Sequence, residues 1–238
     1  MKEYDARPLR LHDHTERWGY GGNPVSMLAV EDPASRLVRV EPSFAPLVER
    51  VGPYRVHRTA DAWEALACGV LYQQVSGRAA KRIADRIRAE MGQGGLLPRP
   101  EVIHQAPLGA LKALGITSAK EAALRTLAHA IIHPEGEALD LGKLATMSDE
   151  EVERSLTRFK GVGPWTAHMY LVFHLGRDNV LMPGDLGLRK AIQKHYGLPA
   201  PPSRKEVEAI AARWGDVRTV ATWYLWRSDP DFPQPGFG

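Results

Sequence analysis

Residues 159–167 read Phe-Lys-Gly-Val-Gly-Pro-Trp-Thr-Ala and join two helical patterns through a short glycine turn. Gly161 and Gly163 have no β-carbon, so they accept positive φ angles and allow another backbone to come close. Pro164 suits the first turn of a helix, where its missing N–H costs little. The stretch therefore predicts a helix, a tight turn and a second helix that begins near Pro164.

The predicted turn has the features of a phosphate-binding site. Backbone amides at a turn and at a helix start point outward, with the positive end of the helix dipole behind them. Lys160 and Arg158 add a salt-dependent attraction for the same anion. A lone Gly-x-Gly pattern is more often only a corner between helices, whereas this longer pattern favours phosphate binding. The residues assigned to that role are Lys160, Gly161, Val162, Gly163 and Thr166.

A second motif, Met182-Pro183-Gly184-Asp185, ends 20 residues after Trp165. The Pro-Gly pair predicts a turn, and Asp185 begins a new helical pattern. Aspartate is a favoured N-cap residue, and capping alone would explain its presence. Capping and catalysis are compatible, however, because a capped carboxylate is held in one orientation.

A glycine hairpin followed at this spacing by Pro-Gly-Asp resembles the signature of the helix-hairpin-helix-GPD (HhH-GPD) superfamily of DNA glycosylases, over residues 60–228. The resemblance implies a mainly α fold of two helical subdomains with a cleft between them. It also implies that a damaged base is flipped out of duplex DNA. The family's catalytic carboxylate falls on Asp185.

A carboxylate suits the chemistry that this resemblance implies. An alkylated purine such as 3-methyladenine or 7-methylguanine is already cationic, so it leaves with little acid catalysis. The sugar left behind resembles an oxocarbenium ion, as in other glycosyl hydrolyses. An anion beside C1′ stabilises that charge and can orient or deprotonate the attacking water.

Trp165 indicates which branch of the family the chain resembles. Bifunctional relatives have a lysine at this position, which forms a Schiff base with C1′ and leads to strand cleavage. An indole cannot do this, so we expect a monofunctional enzyme without AP-lyase activity. The chain is similar to the alkylbase branch, DNA-3-methyladenine glycosylase II. That likeness implies a base pocket formed by Trp165, Met169 and Trp226, although most tryptophans are simply core residues.

The segment Tyr72-Gln73-Gln74-Val75-Ser76 matches the part of the family that fills the gap left by the flipped base. The match places the intercalating wedge at Gln74, with Gln73 beside it. Without the resemblance, two exposed glutamines at a helix break would be the simpler interpretation.

The resemblance also implies a monovalent cation, Na⁺ or K⁺, at the hairpin. Its ligands would be the backbone carbonyls of Thr157, Phe159 and Val162. No catalytic cofactor is expected, and we identify no metal-ligand spacing among the nine histidines.

The rest of the chain predicts helices after residue 55 and a different segment before it. Capping patterns start helices at Ser76, at Ser118 with Glu121, at Ser148 with Glu151, and at Ser203 with Glu206. Residues 1–55 are expected to be a reduced, β-containing N-terminal segment with strands at Ser26–Val30 and Arg36–Val40. Residues 56–230 would form the catalytic region and 231–238 a C-terminal tail.

The composition is compatible with a protein that acts on nucleic acid, but it does not by itself indicate one. The 238 residues carry a net charge of +3, and 44% of them are hydrophobic. The single cysteine, Cys68, excludes an intrachain disulfide and a four-cysteine cluster, and its apolar surroundings predict burial. Without a signal-peptide pattern or a long apolar run, we expect a cytoplasmic protein, nucleoid-associated if bacterial.

These observations predict a monomeric glycosylase of base excision repair. Its partner would be double-stranded DNA containing an alkylated base, and its product an abasic site. Two alternatives remain: a glycosylase of another branch that acts on mismatched or oxidised bases, and a non-enzymatic DNA-binding protein that uses the hairpin as a phosphate clamp.

Overall fold

The computed structural model of the chain describes residues 31–228, and within them the regular structure is helical. Short 3₁₀ segments occur at Pro42–Phe44 and Ala212–Trp214, and a π-helical segment, Leu171–Leu175, extends α10. The α-helices are α1 (Pro33–Val40), α2 (Ala45–Val51), α3 (Ala62–Leu71), α4 (Gly77–Met91), α5 (Pro100–Gln105), α6 (Ala110–Ala113), α7 (Ser118–Ile132), α8 (Leu141–Leu144), α9 (Asp149–Thr157), α10 (Pro164–Tyr170), α11 (Leu186–Tyr196), α12 (Arg204–Ala211) and α13 (Arg218–Trp226).

The helices pack in two groups. The first is made of α3–α7, α9 and α10, with α5 against α7 and α10 against both α3 and α9. The second combines both ends of the described chain, because α1 and α2 pack on α13, which also contacts α11. This arrangement brings the segment between α10 and α11, which contains Asp185, to the junction of the two groups.

The predicted strand Arg36–Val40 is wrong, because these residues are in α1. Asp32 caps this helix by accepting a hydrogen bond from the amide of Ser35 at 3.0 Å, and Pro33 occupies its first turn. Burial of Leu37 against the core then decides the conformation. The other predicted strand, Ser26–Val30, and the tail 231–238 lie outside the described residues.

The predicted boundary at residue 55 is also wrong. The compact unit begins at Asp32, and the side chains of Leu37 and Phe44 are fully buried in its core. Residues 32–55 are therefore part of the helical body.

Most of the predicted helix starts are confirmed. Ser148 with Glu151 and Ser203 with Glu206 form complete capping boxes, and Ser76 caps α4. The capping box predicted at Ser118 is wrong. Thr117 caps α7 instead, and Glu121 turns inward, where its carboxylate accepts hydrogen bonds from the amides of two residues near α6, Gly109 and Lys112.

Cys68 is fully buried in α3, as predicted. Burial, with the nearby Glu64 carboxylate as a lesser cause, raises the pKa of its thiol to about 12, so it behaves as a small apolar group. Among residues 31–228, no helix is both long and apolar enough to cross a bilayer.

Candidate active site

Asp185 is held by three hydrogen bonds. It is the N-cap of α11, and its Oδ1 accepts from the amide of Leu188 at 2.6 Å. The same oxygen accepts from Nε1 of Trp226 at 3.0 Å, and Oδ2 accepts from Nε1 of Trp165 at 2.9 Å. The two indoles come from α13 and α10, so the carboxylate joins the two groups of helices.

The two carboxylate oxygens differ in what they can still bind. A carboxylate oxygen has about two lone-pair sites for hydrogen bonds. On Asp185, Oδ1 already accepts two hydrogen bonds, whereas Oδ2 accepts one. Because Asp185 is partly exposed, Oδ2 retains the capacity to accept a proton or a hydrogen bond from a small molecule such as water.

The three predicted pocket residues differ in exposure. Trp165 is partly exposed, but Met169 is 0% and Trp226 only 2% exposed. The ring of Trp226 lies parallel to that of Phe173, with centroids 6.5 Å apart. In this structure Trp165 therefore offers an accessible aromatic surface beside Asp185, while Trp226 contributes its N–H from the core.

The glycine hairpin runs from α9 to α10 as predicted, and its two glycines have different roles. Gly161 has a φ of +90°, and a β-carbon there would lie 2.6 Å from Cβ of Ala123 in α7. Gly163 has nothing within 4 Å of its β-carbon position. Within residues 31–228 the amides of both glycines lack a hydrogen-bond acceptor, so they are free for an external anion.

The two predicted wedge residues behave differently. Gln74 is exposed and has a φ of +54°, the only positive φ of a non-glycine residue between residues 31 and 228. The side chain of Gln73 does not project outward as a wedge would. Its Nε2 donates hydrogen bonds to the carbonyl of Gly161 at 2.9 Å and to Oγ1 of Thr166 at 2.8 Å. Gln73 thus connects the wedge turn to the hairpin.

Thr166 also differs from its prediction as a phosphate ligand. Its side chain is 1% exposed, accepts the hydrogen bond from Gln73 and faces Gly69 of α3. A buried hydroxyl cannot reach an external phosphate, so Thr166 supports the hairpin from inside.

The chain has a recognisable family and relatives. A family model described as "HhH-GPD superfamily base excision DNA repair protein" matches residues 67–216. The chain belongs to the HhH-GPD superfamily. The glycine hairpin and the Asp185 motif both fall within the matched range.

Two relatives and two solved structures illustrate this membership. The chain is 31% identical over 201 residues to DNA-3-methyladenine glycosylase 1 of Schizosaccharomyces pombe, covering 82% of this chain and 87% of that protein. It is 27% identical over 186 residues to DNA-3-methyladenine glycosylase 2 of Escherichia coli, covering 74% and 60%. The structure of the S. pombe enzyme with abasic DNA matches with a TM-score of 0.76, covering 82% of this chain and 95% of that one. A DNA-3-methyladenine glycosidase of Bacillus halodurans, 27% identical, matches with a TM-score of 0.68, covering 87% and 93%.

The basic residues around the HhH-GPD hairpin are only partly available to a ligand. Lys160 is exposed, but the guanidinium of Arg158 contacts the carbonyl of Ala138 and lies over the ring of Phe159. In α4, Arg88 forms an ion pair with the buried Glu64, whereas Arg78 near the wedge is exposed.

Two of the three carbonyls predicted to hold a cation, those of Thr157 and Phe159, lie at or just after the end of α9, and the third, that of Val162, lies in the hairpin turn. Thr157 is the last residue of that helix, and within residues 31–228 its carbonyl accepts no backbone hydrogen bond. The carbonyl of Phe159 accepts from the amide of Val162 at 3.0 Å and keeps a second lone pair. The oxygens of Thr157 and Phe159 thus have the donor chemistry and the unused lone pairs that a hard cation needs, and the C-terminal end of a helix is electronegative.

Proposed function

We propose that this protein is a monofunctional DNA glycosylase of base excision repair that removes alkylated bases such as 3-methyladenine and 7-methylguanine. The observation that carries the proposal is the fixed Asp185 carboxylate, which is hydrogen-bonded to Trp165 directly after the hairpin. Relatives named 3-methyladenine glycosylases support the substrate class. Double-stranded DNA would be its partner, and its product would be an abasic site.

The hairpin and the wedge would hold the flipped nucleotide. The free amides of Gly161 and Gly163 suit a DNA phosphate, with Lys160 adding charge. Gln74 would fill the gap in the base stack, and its unfavourable backbone conformation is typical of a functional residue. A Na⁺ or K⁺ on the carbonyls of Thr157, Phe159 and Val162 would supply further positive charge beside that phosphate.

Bond cleavage would rely on the charge of the damaged base. When the bond between C1′ and the base nitrogen breaks, its electron pair goes to the base, which leaves as a neutral molecule. The positive charge that develops at C1′ would be stabilised by the Asp185 carboxylate. The partly exposed indole of Trp165 would contact the cationic base through its electron-rich face.

Water would complete the reaction on the same carboxylate. Oδ2 of Asp185 is the oxygen with remaining capacity, so it would accept the hydrogen bond of the attacking water. The water oxygen bonds to C1′, and its proton passes to the carboxylate and then to solvent. Trp165 stands where an amine would be needed for a Schiff base, which supports hydrolysis without AP-lyase activity. We further propose that the protein acts as a monomer, in the compartment that holds the DNA.

The test is base release from methylated duplex DNA by the wild type and by Asp185→Asn. We expect the wild type to release 3-methyladenine and the variant to be slower by about 10²–10⁴-fold, the range for losing a positioned base. Asparagine is as good an N-cap as aspartate, but its amide nitrogen cannot accept the hydrogen bond of the Trp165 indole, so we expect the variant to fold with a free energy of unfolding lower by about 1.5–3 kcal/mol. Asp140→Asn, the same change at the N-cap of α8, is the matched control and should leave base release unchanged.

Four outcomes would contradict the proposal. Full activity of Asp185→Asn would remove the carboxylate from the mechanism. DNA binding without release of any base would favour a non-enzymatic clamp, and release of only oxidised or mismatched bases from a lesion panel would favour another branch. Strand breaks that appear without alkali or a separate endonuclease would contradict the monofunctional assignment.

A further inference from the structure

Three histidines come together away from the candidate active site, where the ends of α5 and α7 meet. His104 is in α5, His129 is in the last turn of α7, and His133 directly follows α7. One ring nitrogen from each lies within 4.8 Å of the other two. The ring centroids are 5.4 Å apart for His104–His129 and His104–His133, and 4.4 Å apart for His129–His133.

The interpretation that the histidines show no metal-ligand spacing is therefore wrong. His129 and His133 are four residues apart, which places both side chains on one face of a helix. The third member comes from another helix and could be found only from the packing of α5 on α7.

Polar contacts fix the two helix ends that carry these histidines. Nη2 of Arg125, one turn before His129, donates to the carbonyls of Ala106 and Pro107 at 2.7 and 2.6 Å. These two carbonyls directly follow α5, so Arg125 holds the end of α5 against α7. The positions of the three backbones therefore do not depend on the imidazoles themselves.

A carboxylate contacts one of the three rings. Oε1 of Glu135 lies 3.1 Å from Nδ1 of His133. In metal sites a carboxylate commonly binds one ring nitrogen of a ligating histidine, which orients the ring and leaves the other nitrogen for the metal.

We propose that His104, His129 and His133 bind a divalent cation of the zinc type. Burial does not explain the cluster, because His104 and His129 are exposed and the side chain of His133 is 39% exposed. Three neutral imidazoles are a preferred ligand set for Zn²⁺, with water in the fourth position. Tetrahedral geometry needs nitrogens about 3.4 Å apart, so each donor atom would move by at most about 0.8 Å, which rotation of exposed side chains allows.

The bound metal would connect α5 to α7 and stabilise the fold locally. Ala123, which contacts the hairpin glycine Gly161, lies in the same helix six residues before His129, about 9 Å along the axis. The site is therefore separate from the carboxylate and from the phosphate-binding turn. It does not depend on the proposed glycosylase activity.

The experiment titrates Zn²⁺ into full-length, tag-free protein that has been stripped with a chelator, and follows binding by calorimetry. We expect one Zn²⁺ per chain and at least a tenfold loss of affinity in His129→Ala and in His104→Ala. His57→Ala, which removes an exposed histidine outside the cluster, should bind like the wild type. Saturating Zn²⁺ should raise the melting temperature of the wild type by about 5–10 °C and of the two cluster variants by much less.

Co²⁺ gives a second measurement, because a tetrahedral Co²⁺ site absorbs visible light strongly and an octahedral aqua ion does not. The wild type and His57→Ala should develop this absorption, and His104→Ala and His129→Ala should not. The two cluster variants change different helices at exposed positions, so each should melt like the wild type without metal. Equal Zn²⁺ affinity in wild type and both variants, or no binding by the wild type, would overturn the proposal.

Discussion

At the scale of single residues, the environment of Asp185 explains why this carboxylate can work as a fixed anion. Its N-cap role alone would hold one oxygen, and the indoles of Trp165 and Trp226 hold the carboxylate from two other directions. Hydrogen bonds to a charged group are stronger than those between neutral groups. In the proposed reaction, the side chain would therefore not need to reorganise when charge develops at C1′.

Removing one indole N–H should slow the reaction without removing the carboxylate. We expect Trp165→Phe and Trp226→Phe each to lower kcat for base release by about 10-fold or more, because a hydrogen bond to a charged group contributes about 1.5–3 kcal/mol. Single-turnover kinetics on methylated DNA measure the rate constant for base release of each variant.

The matched control is Trp214→Phe. Its indole is fully buried and donates to the hydroxyl of Tyr196 at 3.0 Å, so the same substitution removes an indole hydrogen bond, to a neutral acceptor, away from Asp185. This variant should lose stability but keep kcat. If all three variants lose kcat equally, the indoles beside Asp185 act only through stability.

The backbone of Gln74 predicts a conflict between stability and activity. Gln74→Ala and Gln74→Gly both remove the proposed wedge, so both should lower base release from duplex DNA to a similar extent. Only glycine relieves the positive φ of +54°, so the glycine variant should be more stable than the alanine variant by about 1 kcal/mol. Urea denaturation compares the two. Unchanged base release in both variants would show that Gln74 is not the wedge.

At the scale of elements, the hairpin is held by two close approaches. Gly161 packs on Ala123 of α7, and Gly69 of α3 packs on Thr166 of α10, where a β-carbon would lie 2.9 Å from Cγ2 of the threonine. Gln73 adds hydrogen bonds from the wedge turn. The hairpin and the wedge are therefore parts of one packed unit.

Gly161→Ala should destabilise the protein and weaken DNA binding, whereas Gly163→Ala should leave stability unchanged. At Gly161 the new β-carbon would lie 2.6 Å from Cβ of Ala123, and φ is +90°. We therefore expect the free energy of unfolding to fall by about 2–4 kcal/mol. At Gly163 there is open space and φ is −102°. Denaturant unfolding and DNA titrations at fixed salt measure both effects.

The double variant Gly161→Ala with Ala123→Gly separates the two causes. It removes the contacting methyl group, so, measured against Ala123→Gly alone, which itself costs about 1 kcal/mol inside α7, the loss caused by Gly161→Ala should shrink by its steric part and keep the part due to positive φ. If Gly161→Ala costs as much in the Ala123→Gly background as in the wild type, contact with α7 does not position the hairpin.

At the scale of the whole molecule, the second group of helices depends on both ends of the described chain. The ring of Phe44, which follows α1, lies 4.6 Å from that of His195 in α11 and 6.0 Å from that of Trp214, centroid to centroid. Residues 33–51 thus pack against and support α11, which has Asp185 as its N-cap, and α13, which ends at Trp226.

Phe44→Ala should therefore lower the free energy of unfolding of the entire protein by about 3–5 kcal/mol, in a single transition. Val40→Ala is the control, because that side chain is 38% exposed and should cost less than about 1 kcal/mol. Urea unfolding followed by tryptophan fluorescence and by circular dichroism measures both. A separate early transition in Phe44→Ala would indicate that residues 33–51 fold as an independent segment.

The local features of the site could be predicted from the sequence because neighbours in the chain create them. The turn at Gly161, the helix start at Pro164 and the cap at Asp185 each depend on a few adjacent residues. The strand expected at Arg36–Val40 failed for the opposite reason. Its alternating pattern is short, and a local cap together with burial against distant helices favoured α1.

The hairpin, the position of the proposed catalytic carboxylate and most helix starts could be predicted from adjacent residues, because hydrogen bonds within a few residues specify them. The surroundings of that carboxylate, in contrast, follow from the packing of the helices. The two indoles on Asp185, the inward side chains of Gln73 and Thr166, and the third histidine of the cluster all depend on contacts between residues far apart in the chain. Such contacts follow from how helices bury their apolar faces together, and a local pattern contains no information about which distant face it will meet.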